Sequence, residues 1–253
     1  MRGILNVPLL TFVLSFLVQW IAAHIGDFFR RRWHTFDTDD RDDFTVVQAA
    51  TLTLLGLIIG FSFSMATSRY DQRKNYEEAE ANAIGTEYVR ANLLPAQEAG
   101  KVHDLLKKYV DLRIAFYTTR DRGKLAKIND DTAQLQNTLW ASVQAVGTAQ
   151  PNPVTALAVA GMNDVLNSQG YTQAAWWNRI PTAAWALMLA IAICCNFLIG
   201  YGARRTERLL FLVLPLAVSI SFFLIADIDS PRGGVIHVVP QNLISLAQSL
   251  STQ

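Results

Sequence analysis

Apolar residues fall in four long blocks, roughly 4–26, 44–66, 181–202 and 209–226, and none of the four contains a charged side chain. A helix needs about 20 residues to cross the ~30 Å of bilayer hydrocarbon, so each block predicts one span. Between residues 67 and 180 the pattern becomes helical and amphipathic. Apolar positions recur at three- and four-residue steps in Ala83, Ile84, Tyr88 and Ala91, then in Val102, Leu105, Leu106, Tyr109, Leu112 and Phe116, then in Leu135, Leu139, Val143 and Val146. No alternating strand pattern is present. The reading is an all-α polytopic membrane protein with four transmembrane helices and a helical extramembrane domain between spans two and three. It divides into spans one and two (1–66), the extramembrane domain continuous with span two (67–180), spans three and four (181–226) and a C-terminal tail (227–253).

Breakers subdivide the connector. Pro95 opens a second helix, Gly123 marks a break, and Gly147 followed by Pro151 and Pro153 closes a third. A fourth helix is expected over about 154–168, and Trp176 and Trp177 then suit an interfacial belt ahead of span three. No Pro lies between Phe44 and Ile84, and Ala, Glu, Arg and Lys dominate after Ser68. Helix propensity therefore predicts that span two leaves the bilayer without a turn and runs on to about residue 94.

Within that rod Gly56, Gly60, Ser64 and Ser68 recur every four residues, with Thr53 extending the surface and Phe61 and Phe63 flanking it. Small residues at this spacing let helix backbones approach closely. Two readings stay open: packing against span one or four of the same chain, or a shared axis, as a subunit contact or a pore wall. Ile58 is expected to face lipid.

A second constellation is charged. Arg69, Asp71 and Arg73 follow span two, Arg179 precedes span three, and Asp227, Asp229 and Arg232 follow span four. An even number of crossings separates the ends of spans two and four, so these charges share one membrane face. Aspartates at a helix C-terminus oppose the macrodipole and call for cations, with Arg69 and Arg73 the expected partners. The cluster reads either as a salt-bridge tie or as an ion vestibule. Two aspartates are too few for a divalent-cation site, and no metal is assigned.

Composition adds exclusions. Hydrophobic residues make up 51% of the chain, charged residues 17%, and the net charge is +1, with no basic run interleaved with aromatics, so nucleic acid is not an expected partner. Cys194 and Cys195 are adjacent inside span three and read as small apolar residues. His24, His34, His103 and His237 are scattered, and no phosphate loop or nucleophile elbow occurs, so no catalytic residue and no cofactor is assigned. Span one is read as an uncleaved anchor. Arg30, Arg31, Arg32 and Arg41 lie between spans one and two, and Arg204, Arg205 and Arg208 between spans three and four. By the positive-inside rule these short loops are cytoplasmic, which places the termini and the 67–180 domain on the outer side of a bacterial inner membrane.

The segments SMATSRYDQRK, EEAEANAIGTEYVRANLLP, KKYVDLR, PNPVTALAVAGMNDVLN, NRIP and DIDSPRGG, from about Leu54 to Leu250, resemble bacterial membrane proteins with a bestrophin-like domain. NSQGYTQAAWWNRIP carries fewer charges than that family's pattern. The resemblance implies an oligomeric ion channel, for anions; the small-residue stripe then puts span two near the pore axis, and Arg69 and Arg73, where that helix leaves the bilayer, are expected to concentrate anions at its mouth. It also implies a cytosolic connector and cytosolic termini, opposite to the loop arginines. The alternative function is a membrane-anchored sensor or scaffold whose connector binds a ligand or partner.

Overall fold

The computed structural model describes residues 5, 7–33, 38–203 and 210–252. Helices are α1 (Pro8–Trp33), α2 (Thr38–Arg90), a 3-10 turn (Ala91–Leu93), α3 (Ala96–Thr118), α4 (Arg122–Ala149), α5 (Pro153–Trp177), α6 (Thr182–Gly202), α7 (Leu210–Asp229) and α8 (Gln241–Ser251). Among the described residues there is no strand. Stretches in α1, α2, α6 and α7 are long and apolar enough to cross a membrane, which makes the chain a multi-pass membrane protein. Arg204, Arg205 and Arg208, which enter the positive-inside assignment, and His34, one of the scattered histidines, lie outside the described residues.

Helix α2 is one unbroken element of 53 residues, about 80 Å at 1.5 Å per residue. It ends in the 3-10 turn before Pro95, whose missing N–H and fixed φ suit the entry to α3. The break before α4 falls at Thr119–Asp121 in sequence order, where Asp121 caps α4 by accepting from the Lys124 amide at 2.8 Å. Asn152 and Thr155 form a reciprocal capping box at the start of α5, with Pro153 at its first position. That helix is nine residues longer than the sequence pattern suggests, continuing through Trp177. Trp176 is consequently buried, 5.0 Å from the Phe116 ring and 5.4 Å from Tyr117, and serves the core of the connector; only Trp177 is exposed.

Two compact units divide the chain. The membrane unit comprises Met1–Tyr70 and Arg179–His237. Here α1 packs on α6 and α7, and Leu55 and Ala66 of α2 join Trp185, Met188, Ala192, Phe222 and Ile225 in the core. Contact between α1 and α6 is close enough to exclude any side chain. A Cβ on Gly26 would overlap the Phe197 carbonyl oxygen, and one on Gly200 would overlap that of Ala23. A buried polar tie crosses the same helices: Asn196 donates to Gln19 at 3.0 Å, and Gln19 to Ser219 at 3.3 Å. Such amide and hydroxyl bonds hold helices together where lipid offers no competing water.

The second unit comprises Asp71–Asn178 and Val238–Gln253. α4 packs on both α3 and α5, and the C-terminal stretch contributes α8, which lies on α3. Fully buried Ile84, Val102, Leu106, Tyr109, Phe116, Leu139, Val143, Met162 and Val165 form its interior.

Gly200→Leu should prevent folding, because the obstacle is backbone, and even ordinary overpacking costs about 1–3 kcal/mol. Gly60→Leu should leave helix content and the thermal unfolding of the single chain unchanged, since a Cβ there meets nothing within 4 Å. Circular dichroism melts of the two variants in detergent make the comparison.

Candidate functional site

From Leu55 onward, α2 keeps one face buried. In the membrane unit that face carries Leu55, Ser62 and Ala66; in the second unit the same helical register carries Arg73, Glu77, Glu80, Ile84, Glu87 and Ala91, all buried. The apolar reading of this stretch through Ala83, Ile84, Tyr88 and Ala91 finds three of the buried positions; Ala83 is half-buried. It misses four charged ones. Stepping three or four residues onward from Leu55, Ser62 and Ala66 would have found them.

The buried charges of α7 and α2 have distinct environments. Asp229, 1% exposed, accepts from Arg179 Nε at 3.2 Å and from the Ile180 amide at 3.1 Å, with Arg69 Nη1 3.7 Å away. The expected tie between the ends of spans two and four is therefore made by Arg69 and Asp229, with Arg179 as a second cation. Asp227 is used otherwise. Its carboxylate accepts from the Val235 and Ile236 amides at 2.8 and 2.7 Å, closing the loop after α7, and a Cβ on Gly234 would lie 2.8 Å from its carboxyl group. Arg73 is buried and Asp71 exposed, both in the second unit; Arg232 is half-buried in the membrane unit. Among the described residues no group of three or more His, Cys, Asp or Glu side chains could hold a metal.

In the second unit Glu77 caps α8, accepting from the Leu243 amide at 2.9 Å and Asn242 Nδ2 at 2.7 Å. Glu80 and Arg113, both fully buried, form an ion pair, and Glu80 also accepts from Thr172 at 3.0 Å and Tyr117 at 3.4 Å. Arg113 lies 4.4 Å over the Phe116 ring. Burial works against the Arg113 charge, but Glu80 together with Tyr109 and Tyr117 outweighs it, and the guanidinium is held more firmly protonated than usual. The Tyr117 and Tyr109 phenols are pushed up, first by burial and then by Glu80, so they remain donors. Gln136 of α4 donates to Tyr109 at 3.0 Å, which extends the polar core to a fourth helix.

The opposite face of α2 is bare. Thr53, Gly56, Gly60, Phe61, Phe63, Ser64 and Ser68 are all exposed, and a Cβ on Gly56 or Gly60 meets nothing within 4 Å. Among the described residues nothing packs on Gly56 or Gly60; close glycine contact is made by Gly26 and Gly200 instead. Thr53 donates to its own helix, at Ala49 O, 2.9 Å away. Ile58, expected at lipid, is half-buried against the core. At 3.6 residues per turn the stripe continues through Asp71, Asn75 and Glu78, all exposed. Arg69 and Arg73 lie on the buried side.

Fold and site thus define an all-α multi-pass membrane protein whose second span is continuous with a helical domain. A Bestrophin-like domain model matches residues 13–243, and the chain belongs to that family. Among solved structures it is similar to a bacterial bestrophin homolog from Klebsiella pneumoniae. One mutant structure of that protein matches with a TM-score of 0.67 at 12% identity, covering 97% of this chain and 98% of that one. A second structure gives 0.63 at 14% identity, covering 95% and 98%. No curated protein matches the chain.

Removing one member of the central pair, as in Arg113→Met, should cost about 3–5 kcal/mol by leaving Glu80 buried and unpaired. Adding Glu80→Leu should recover much of that loss, giving a strongly non-additive double-mutant cycle. In the membrane unit Arg69 should couple to Asp229 but not to Asp227. Unfolding of single and double variants in detergent measures both.

Proposed function

We propose that the chain forms a homo-oligomeric ion channel of the bestrophin-like type, with α2 near the shared axis. The observation that carries the reading is the bare stripe from Thr53 to Ser68: small and hydroxylated residues exposed on the span that the chain's own fold leaves open. An ion path through apolar helices needs such a surface around water, because ions in hydrocarbon are prohibitively costly. Phe61 and Phe63 flank it and supply an apolar constriction that gates by dewetting. No enzymatic step enters this reading.

The anion preference implied by family resemblance draws no support from Arg69 and Arg73, one paired with Asp229 and the other buried. Charges that continue the stripe are Asp71 and Glu78, so these set the local potential along that face of α2. Reconstituted protein should carry current, Phe61→Ala or Phe63→Ala should ease its gating, and Asp71→Asn with Glu78→Gln should shift the reversal potential toward anions. Robust current indifferent to all four changes would remove α2 from the pore, as would an oligomer unaffected by Gly60→Leu. Tight binding of a small molecule or partner to the connector, without flux, would support the sensor or scaffold reading instead.

The membrane proposed is the bacterial inner membrane. Loop arginines assign the connector to its outer side, and the family resemblance to the cytosol. Single cysteines at Gln97 or Gln134, in a variant lacking Cys194 and Cys195, decide between them. Labelling by an impermeant reagent with the inner membrane intact supports the first, and labelling only after lysis the second.

A further inference from the structure

Among the buried acids of α2, Glu87 alone has both carboxyl oxygens buried with no hydrogen-bond partner among the described residues. It is fully buried against α5, at a notch made by Gly161. A Cβ on Gly161 would overlap Glu87 Oε2 and lie 2.7 Å from Arg90 Nη1 and 3.0 Å from Arg90 Cδ. Arg90, one turn on, points its guanidinium instead toward Asp164 of α5, at 3.8 Å, and both members of that pair are partly exposed. The contrast with Glu77 and Glu80 is chemical: those two accept amide, hydroxyl or guanidinium protons, whereas Glu87 accepts none. A carboxylate left this way is unstable, but a neutral carboxylic acid fits.

We propose that Glu87 is a proton-controlled latch between α2 and α5: the neutral acid lets α5 seat on α2 at Gly161, and the carboxylate draws Arg90 from Asp164 and loosens that seat. The latch stands on the geometry of the second unit and does not rest on the channel reading. Burial is the main force on the group and pushes its pKa up to about 8 from the usual 4.5; Arg90 opposes the rise and Asp164 adds to it. Other elements contribute little charge at this point. The α3 groups that face this turn, His103 and Lys107, engage Tyr88, whose carbonyl lies 2.8 Å from His103 Nε2 and whose ring centre lies 5.8 Å from Lys107 Nζ. α8 presents Leu246 to Gly85, and the 3-10 turn Ala91–Leu93 has no titratable side chain. The chemistry is one proton: released to water on opening and recovered on closing, with Arg90 exchanging one carboxylate partner for the other.

Because the seated form holds a proton that the open form releases, seating is strongest below about pH 4.5, weakens as pH rises to about 8, and changes no further above it. Hydrogen exchange of α5 amides near Gly161, in the purified full chain in lipid nanodiscs, reads the opening directly. The wild-type rate divided by that of Glu87→Gln at the same pH cancels the intrinsic pH effect. That ratio should rise about tenfold per pH unit between pH 6 and 7.5 and level off beyond 8. Asp164→Asn should move the levelling point down, and Arg90→Gln should move it up. Should Glu87→Gln fail to fold, infrared spectra of wild type supply the second measure: a protonated carboxyl band that vanishes with a midpoint near 8 and shifts down in Asp164→Asn. A flat exchange ratio, or no protonated carboxyl at pH 6.5, overturns the latch.

Discussion

One constraint governs the molecule: α2 passes from an apolar span into a polar domain without a turn. Helical periodicity carries one register from Leu55 and Ala66, buried in the membrane unit, to Arg73, Glu80 and Glu87, buried in the second. Inside hydrocarbon that face needs only shape. Beyond it the face carries charge, and each charge has to be answered locally, since a buried ion without partners is far costlier than a buried methyl group. The fold of the second unit supplies two such answers, Arg113 for Glu80 and the start of α8 for Glu77, while Glu87 at the Gly161 notch has no hydrogen-bond partner among the described residues.

The two sides of α2 have complementary roles. Its inner side is crowded and specific; its outer side, from Thr53 to Ser68 and on through Asp71 and Glu78, is left open by the chain's own fold. Glycine is used in two opposite ways as a result. Gly26 and Gly200 are small because two backbones meet, whereas Gly56 and Gly60 are small with no described residue within 4 Å of where a Cβ would sit. The same residue type therefore means different things on α1 and α6 than on α2.

Membrane-boundary charges show the same division of labour. Asp229 sits where two cations and an amide converge and ties the entry of α6 to the exit of α7, while Asp227, two residues earlier, spends its carboxylate on the backbone of the following loop. Helix geometry separates them: residues two apart point to different sides.

The sequence by itself determined the class, because span length, absence of charge within spans and helical periodicity are local properties set by bilayer thickness and backbone geometry. It also determined that span two continues as a rod, since propensity and the lack of breakers act residue by residue, and Pro95 marked the end. Tertiary structure decided which small residues touch, which of the two aspartates meets Arg69, and that α5 extends to bury Trp176. It alone showed that Glu80 meets a guanidinium and two hydroxyls, whereas Glu87 on the same helix face has no hydrogen-bond partner among the described residues. Periodicity can say that a position is buried, but the partner of a buried charge lies 33 residues away for Glu80, at Arg113, and 92 away at Thr172. Local pattern carries no record of such distant pairings; only the packing of α3 and α5 against α2 creates them.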